Sequence, residues 1–357
     1  MTRLRVAVLF GGRSAEHDVS ILSARNVVKG LDPAKYDIVP IFITRDGRWR
    51  LIELENGVLP EAFPEHGAEV CLMPGGRGRL LAFDEESGAR SLAVIGILFP
   101  VLHGMDGEDG SVQGLAAVAG VPLAGCGLLG SATAIDKDMA KRLLREAGLP
   151  VARSLTLHRG ETVSFKDAAA RLGSPVFVKP ARQGSSVGVS KAATAGEFPA
   201  AVEEAFRHDA KILIEEFVQG REIECSVLER ADGSLFVSLP GEIAAAESHG
   251  FYSYDAKYID PDGAVLSIPA QLSDDATQRV RALAEKAFRA LGCDSVARVD
   301  FFARPDASFV VNEINTIPGF TDISMYAKAL AASGVAYRDV LDDIIAYGLE
   351  RARRQSA

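Results

Sequence analysis

Short apolar runs alternate with amphipathic segments in the first third of the chain. The apolar runs predict buried strands at residues 5–10, 38–43 and 92–102, and the amphipathic segments predict helices at 18–30 and 111–120. Strand, loop and helix repeating in this order is typical of a doubly wound α/β unit, whose parallel strands are buried on both faces. The pattern therefore predicts an N-terminal parallel α/β domain that covers residues 1–125.

The pattern changes after residue 131. Apolar residues at helical spacing predict helices at 139–147 and 275–291, and shorter apolar runs predict strands at 176–179 and 211–216. This order of elements indicates α+β structure with antiparallel hairpins. We therefore expect a multidomain chain in which two further lobes, at 126–220 and 221–357, follow the α/β domain and enclose a cleft.

Charge and cysteine content exclude several classes of protein. The 357 residues include 39 Lys and Arg against 48 Asp and Glu, which gives a net charge of −9 and argues against nucleic acid as a partner. The four cysteines, at 71, 126, 225 and 293, form no CxxC pair, so we expect buried thiols in a reducing compartment. No apolar run approaches the roughly 18 residues of a membrane span. The sequence thus predicts a soluble, cytoplasmic protein without a membrane partner.

Residues 297–303 and 308–315 alternate in polarity and are joined by a Pro-Asp turn, which predicts a β-hairpin. If Ala303 pairs with Ser308, Arg298 lies opposite Glu313 and Asp300 lies opposite Val311. One face then carries the polar side chains Arg298, Asp300, Glu313 and Asn315, and the other carries Val299, Phe301 and Ile314.

This polar face has two interpretations. Two carboxylates and an amide are hard oxygen ligands of the kind that Mg²⁺ prefers, with phosphate oxygens completing the coordination. A solvated face that carries a cross-strand ion pair is the alternative.

The loop 183–188 is rich in glycine and serine and follows the strand that ends at Lys179-Pro180. Small residues let backbone amides approach an anion, and Lys179 adds a positive charge. The sequence has no Gly-Lys dipeptide, so it contains no Walker A motif. The loop also matches G-x-S-x-G around Ser186, the pattern of a serine hydrolase with His208 or His249 as partner, although extended residues follow it where a hydrolase has a helix.

Two other segments suggest a nucleotide site. The strand 212–218 is apolar, contains two carboxylates and is followed by Glu222, so its backbone and acidic groups suit an adenine and a ribose. Residues 241–269 contain four aromatic side chains between positions 251 and 258, which is typical of a functional loop, and we expect a lid that closes over the cleft.

Taken together, these segments resemble the D-alanine:D-alanine ligases of the ATP-grasp superfamily. The resemblance runs from Leu9 to Ser324. The motifs that carry it are Gly11-Gly12, Ser14 to Ser20, His103-Gly104, Gly107 to Gly110, Asp136-Lys137, Lys179-Pro180, Gly184 to Gly188, Tyr254 to Tyr258, Arg298 to Asp300, Asn312 to Thr316 and Pro318-Gly319. The implied fold is an α/β domain followed by a two-lobed ATP-grasp fold with antiparallel sheets.

The resemblance implies a role for each matching residue. The ATP phosphates are assigned to Lys137, Lys179, Ser185, Ser186 and the lid residue Lys257. The adenosine is assigned to Glu215, Phe217, Val218 and Glu222, with Phe217 where some relatives carry Trp. Two Mg²⁺ or Mn²⁺ ions are assigned to Asp300, Glu313 and Asn315. The first D-alanine is assigned to Glu16, Ser185 and Tyr258, with His103 nearby, and the acyl centre and second D-alanine to Arg298, Gly319 and Ser324. Val19 is assigned to substrate binding.

The resemblance also implies an activity. ATP would phosphorylate one D-alanine to an acyl phosphate, and the amine of a second D-alanine would attack it for peptidoglycan precursor synthesis. A tyrosine at 258 favours the dipeptide over D-alanyl-D-lactate, and a homodimer is expected. A ligase with other substrates, a serine hydrolase and a non-catalytic nucleotide-binding module are the alternatives.

Overall fold

A seven-stranded sheet forms the N-terminal part of this computed structural model, which describes residues 2–63, 68–84, 88–245, 264–321 and 323–356. Its strands, in the spatial order β6-β5-β4-β3-β2-β1-β7, are β1 (Leu4–Gly11), β2 (Tyr36–Ile43), β3 (Trp49–Leu51), β4 (Glu69–Leu72), β5 (Leu80–Asp84), β6 (Gly88–Ser91) and β7 (Ile97–Pro100). β1 pairs in parallel with β2 and β7, as the apolar runs predicted. Helices α1 (His17–Gly30) and α2 (Ser111–Ala119) contribute to cores that include residues of this sheet.

Three details of this part differ from the sequence prediction. β3 to β6 extend the sheet as antiparallel strands, because the segment between β2 and β7 forms a meander. The strand predicted at 92–102 is shorter, since only Ile97–Pro100 belongs to it. Cys71 is exposed, whereas the other three cysteines are buried as predicted. Alternation along β4 explains this: its neighbours Val70 and Leu72 are buried, so Cys71 points to the opposite face.

A four-stranded antiparallel sheet forms the middle of the chain. Its strands, in the spatial order β10-β9-β11-β8, are β8 (Ser154–His158), β9 (Val176–Pro180), β10 (Ser190–Ala192) and β11 (Lys211–Glu216). Two amphipathic helices, α5 (Phe165–Leu172) and α6 (Phe198–His208), share its core. They are preceded by α3 (Leu128–Ile135) and α4 (Lys137–Glu146).

A six-stranded antiparallel sheet forms the C-terminal part. The strands are β12 (Arg221–Glu229), β13 (Leu235–Val237), β14 (Gly241–Ala245), β15 (Ala264–Ser267), β16 (Val296–Ala303) and β17 (Phe309–Asn315), in the spatial order β15-β14-β12-β16-β17 with β13 also paired to β12. The helices are α7 (Asp274–Ala290), α8 (Met325–Ala332) and α9 (Tyr337–Ser356). β14 and β15 pair with each other, so the two ends of the stretch predicted as a loop are strands. The aromatic residues 251–258 of the predicted lid lie outside the described residues.

The predicted β16–β17 hairpin is present, but its register is shifted. Ala303 pairs with Phe309 because Ala307 adopts a left-handed conformation (φ 60°) and adds one residue to the turn. An irregularity between Asp300 and Phe301 adds a second shift. Asp300 therefore lies opposite Glu313, and Arg298 lies opposite Asn315. The two shifts together keep all four polar side chains on one face, and Val299, Phe301 and Ile314 are buried on the other, as predicted.

The N-terminal and C-terminal sheets share one hydrophobic core. Helix α9 contacts both α1 and β7, and Phe320 and Tyr326 belong to the same cluster as residues of β1. The boundaries near residues 125 and 220 stay a prediction. Among the helices of the described ranges, none is long and apolar enough to cross a membrane.

Candidate active site

A cavity of about 440 Å³ lies between the four-stranded and six-stranded sheets. Its apolar lining includes Phe177, Phe217, Val218, Ile243 and Phe302. Its polar lining includes Lys137, Lys179, Ser185, Ser186, Glu215, Glu222 and Glu313. Phe217 is partly exposed, with its ring 6.0 Å from that of Phe177 and 5.3 Å from the Lys191 ammonium. A cavity with both kinds of lining suits a nucleotide, because a base packs against apolar side chains and phosphates bind to lysines.

Glu215, which lines the cavity, forms ion pairs with two lysines. Its carboxylate lies 2.6 Å from Lys179 Nζ and 3.1 Å from Lys141 Nζ, and all three side chains are buried. Burial acts to raise the pKa of Glu215, but the two ammonium charges outweigh it and the pKa falls below its usual value. Two lysines and one carboxylate leave a net positive charge, which suits a phosphate.

Replacing Lys141 by Met is expected to weaken ATP binding without changing the shape of the cavity. The substitution removes one of the two charges that face Glu215, so the remaining charge of Lys179 is neutralised by Glu215. We expect the KM for ATP to rise roughly tenfold, equivalent to about 1.4 kcal/mol. Steady-state kinetics measure this, with the exposed Lys166→Met as control. An unchanged KM would show that Lys141 only stabilises the fold.

Lys137 joins the Gly-Ser loop to the hairpin. Its Nζ donates a hydrogen bond to the Gln183 carbonyl (2.7 Å) and lies 3.4 Å from Glu313 Oε2. Ser185 and Ser186 both have positive φ angles (50° and 61°), so the loop turns sharply at these two residues. Lys137, Lys179, Ser185 and Ser186 thus line the same cavity, and their assignment to phosphate stays a prediction.

Arg298 lies between two carboxylates on the polar face of the six-stranded sheet. Its guanidinium donates to both oxygens of Asp300 (2.8 and 2.7 Å), and its Nε is 2.9 Å from Glu224 Oε2. Burial acts to lower the pKa of Arg298, but Asp300 and Glu224 more than compensate, so the pKa is raised and the residue stays charged. Asn315 Nδ2 donates to Asp300 Oδ2 (2.9 Å). This network fixes the direction of the Arg298 side chain.

Replacing Glu224 by Gln is expected to slow turnover, because it weakens the ion pair that orients the Arg298 side chain. The amide keeps the size of the side chain but removes one of the two charges that orient the guanidinium. We expect kcat to fall roughly tenfold while the KM for ATP changes little, because Arg298 is not among the residues that line the cavity. A change confined to the KM for ATP would contradict this role.

The residues assigned to metal ions form a set of hard oxygen donors. Asp300 and Glu313 lie opposite each other on adjacent strands, with Asn315 two residues further along β17. Within the described ranges, no group of three or more His, Cys, Asp or Glu side chains could hold a metal ion alone. Two carboxylates and one amide near a cavity lined by two lysines nevertheless fit Mg²⁺, which takes few protein ligands and accepts phosphate oxygens.

Glu16 connects the N-terminal domain to the Gly-Ser loop. Its carboxylate accepts a hydrogen bond from the Ser185 hydroxyl, and a Cβ added to Gly184 would lie only 3.0 Å from Glu16 Oε2. Two further buried ionisable residues, His103 and Glu108, interact electrostatically with both Glu16 and Arg298. Burial and the charge of Glu16 raise the pKa of Glu108 to about 7, whereas burial lowers the pKa of His103. Glu16 is therefore in direct contact with Ser185, a residue that lines the cavity.

Gly319 and Ser324 also lie close together. A Cβ added to Gly319 would be 2.6 Å from Ser324 Oγ, and Ser324 precedes the first turn of α8. Val19 is half-buried in α1, three residues after Glu16. The remaining two predicted site residues, Lys257 and Tyr258, lie outside the described residues.

The local structure contradicts the serine hydrolase alternative. A nucleophile elbow turns from a strand directly into a helix, whereas the chain after Ser186 continues into the strand β10. His208 instead has its Nε2 3.0 Å from Glu204 Oε1 on the same helix, and His249 lies outside the described residues.

Sequence reasoning missed Lys141, Glu224 and Glu108 as individual site residues. The sequence around Glu224 does alternate in polarity. Along β12 the polar residues are Glu222, Glu224 and Ser226, and apolar residues separate them, so the three polar side chains share one face. Lys141 is four residues after Lys137, which places both on one side of α4. Glu108 has no comparable local signal.

Two antiparallel sheets with a cavity between them, lined by apolar side chains, lysines and a Gly-Ser loop, define an ATP-grasp enzyme. The chain belongs to the D-alanine–D-alanine ligase family. Residues 5–126 match the model "D-ala D-ala ligase N-terminus", and residues 143–346 match "D-ala D-ala ligase C-terminus". The family is ATP-dependent.

Individual relatives agree with this assignment. The chain is 59% identical to a D-alanine–D-alanine ligase A of Mesorhizobium japonicum over 354 residues, which cover 98% of this chain and 99% of that protein. The structure of the D-alanine–D-alanine ligase from Coxiella burnetii superposes with a TM-score of 0.86 at 36% identity, covering 100% of this chain and 97% of that one. The VanG D-Ala:D-Ser ligase of Enterococcus faecalis gives a TM-score of 0.85 at 35% identity, covering 97% and 100%. The fold alone therefore does not distinguish a ligase whose second substrate is D-alanine from one whose second substrate is D-serine.

Proposed function

We propose that the protein joins two D-alanine molecules to D-alanyl-D-alanine at the expense of ATP, for peptidoglycan precursor synthesis in the cytoplasm. The observation that carries this proposal is the hydrogen bond between Glu16 of the N-terminal part and Ser185, which lines the same cavity as Lys137 and Lys179. A carboxylate such as Glu16 suits the ammonium group of an amino acid, and an arginine such as Arg298 suits its carboxylate. Sequence identity to named D-alanine ligases supports the substrate.

The proposed reaction begins with phosphoryl transfer. A carboxylate oxygen of the first D-alanine attacks the γ-phosphorus of ATP, which gives an acyl phosphate and ADP. Lys137, Lys179, Ser185, Ser186 and Lys257 hold the phosphates in this scheme, and Glu215, Phe217, Val218 and Glu222 hold the adenosine. Two Mg²⁺ or Mn²⁺ ions, bound by Asp300, Glu313 and Asn315, would supply neutralisation of the phosphate charge.

The second step forms the peptide bond. The amine nitrogen of the second D-alanine forms a bond to the acyl carbon and loses a proton, and the bond from that carbon to the phosphate oxygen breaks. Arg298 and the Gly319 amide would stabilise the oxyanion of the tetrahedral intermediate. Glu16, Val19, Ser185, Tyr258 and His103 border the first D-alanine, and Ser324 faces the carboxylate of the second. A lid that excludes water would protect the acyl phosphate.

Incubation with ATP, Mg²⁺ and D-alanine tests this function. We expect release of one ADP and one phosphate for each D-alanyl-D-alanine, with the product's chirality checked chromatographically. Parallel reactions with L-alanine, D-serine and D-lactate measure selectivity, and we expect the D-alanine dipeptide to predominate. ATP hydrolysis that is independent of D-alanine would contradict the proposal, and preference for another second substrate would place the protein with other ligases of the fold. The homodimer stays a prediction that sedimentation can test.

A further inference from the structure

The loop that carries Gly319, residues 316–320, is held at the backbone of two residues by the N-terminal domain. The first of these residues is Ile317. Its N–H donates to Glu108 Oε1 (3.0 Å), and its carbonyl accepts from His103 Nδ1 (3.0 Å). Both partners come from the segment after β7, more than 200 residues earlier in the chain.

Glu108 also fixes its own loop. Its second oxygen, Oε2, accepts a hydrogen bond from the Gly104 N–H (2.9 Å). A single buried carboxylate therefore links the backbone after β7 to the backbone after β17. A carboxylate can accept at both oxygens, whereas an amide has one accepting oxygen and one donating nitrogen.

His103 is held in one tautomer by its contacts. Because Nδ1 faces the Ile317 carbonyl, it must carry the proton, and Nε2 is then free to accept from the Ser23 hydroxyl at 3.2 Å. Burial lowers the pKa of His103, which agrees with a neutral ring. Both ring nitrogens thus have partners within the protein.

The second residue held at its backbone is Phe320, which directly follows Gly319. The N–H of Phe320 lies 3.3 Å from Ser23 Oγ, and the Phe320 carbonyl accepts from Asn26 Nδ2 (3.0 Å). Ser23 and Asn26 belong to α1, the helix that begins directly after Glu16. The residues on either side of Pro318-Gly319 are therefore fixed at both their N–H and C=O groups.

We infer that Glu108 and His103 are positioning residues that hold the Gly319 amide at the acyl centre during the attack of the second amine. This inference rests on the proposed function, in which Gly319 donates to the oxyanion. A displacement of about 1 Å in a group of this kind can lower a rate roughly a hundredfold. The N-terminal domain thereby acts on the second chemical step through the backbone of the C-terminal lobe.

The ratio of ADP released to dipeptide formed tests this role. If the amide is displaced, the acyl phosphate still forms, but attack of the amine on its acyl carbon becomes slower. Water then attacks the phosphorus instead, the bond from phosphorus to the acyl oxygen breaks, and D-alanine and phosphate are released without formation of an oxyanion at the acyl carbon. In Glu108→Gln we expect this ratio to rise above one at saturating D-alanine, with kcat for dipeptide at least roughly tenfold lower. A ratio that stays at one overturns the inference, whatever the stability of the variant.

A second pair of variants covers the case in which Glu108→Gln does not fold. His103→Leu removes the donor to Ile317, and His103→Gln restores a donating N–H. We expect the ratio to rise in the first and to return towards one in the second, whereas equal ratios in the two variants would contradict the inference. Thr133→Val, which removes a hydrogen bond to the Leu291 carbonyl but no bond to residues 316–320, is the stability control and should leave the ratio at one. If the unmodified protein forms no dipeptide, the proposed function itself fails, which is a distinct result.

Discussion

Replacing Arg298 by Ala is expected to lower kcat by roughly a hundredfold or more, because the variant lacks the charged donor assigned to the oxyanion. The guanidinium is positioned by Asp300 and Glu224, which lie on two strands. Rates at saturating ATP and D-alanine measure the effect. A change in KM alone would mean that Arg298 binds substrate without acting on the transition state.

The Ala variant also leaves Asp300 and Glu224 without their shared partner, which destabilises a buried site. Arg298→Lys separates the loss of stability from the loss of catalysis, because lysine keeps the positive charge but lacks the planar guanidinium with its paired N–H donors. We expect Arg298→Lys to unfold close to the temperature of the unmodified protein and still to lose most of its kcat. Arg279→Lys, on the exposed side of α7, is the matched control.

Replacing Glu313 by Gln is expected to remove most turnover, with kcat lower by roughly two orders of magnitude. The amide has almost the same volume as the carboxylate but lacks its charge, which the proposed divalent ions require. Lys137, whose Nζ lies 3.4 Å from Glu313, also loses a partner. Titration of activity with Mg²⁺ should show a shift to higher concentrations.

Two controls make the Glu313 result specific. Glu203→Gln removes a carboxylate from the exposed surface of α6 and should leave both kcat and the Mg²⁺ dependence unchanged. Removal of divalent ions with a chelator should abolish turnover of the unmodified protein, and added Mg²⁺ should restore it. Near-normal rates of Glu313→Gln at low Mg²⁺ would refute the metal assignment.

The order of elements could be predicted because it depends on local periodicity. The parallel strands β1 and β2, the helices α1, α2 and α7, and the β16–β17 hairpin follow directly from apolar spacing. The meander of β3 to β6 could not be predicted in this way, since its strands are short and β6 is exposed throughout. Such strands are stabilised by their neighbours in the sheet and carry little signal of their own.

The candidate site was predictable where its residues lie on one element. Alternation alone places Arg298 and Asp300 on one face of β16, and the resemblance to a known family supplied roles for most of the other residues. It was not predictable where residues from distant elements meet. Lys141 reaches Glu215 because α4 packs near β11, and Glu108 meets Ile317 across 209 positions of sequence.

The sequence by itself determined the residue types, the periodicities and the polar face of the hairpin, because side-chain direction in a strand or helix follows from local backbone geometry. Only the tertiary structure decided the register of that hairpin, where the left-handed Ala307 and the irregularity after Asp300 shift the pairing. It also decided which buried charges pair, and which residues of α1 and of the segment after β7 form hydrogen bonds to the loop around Gly319. These contacts depend on how whole layers pack, and the energy of that packing is not contained in any single segment.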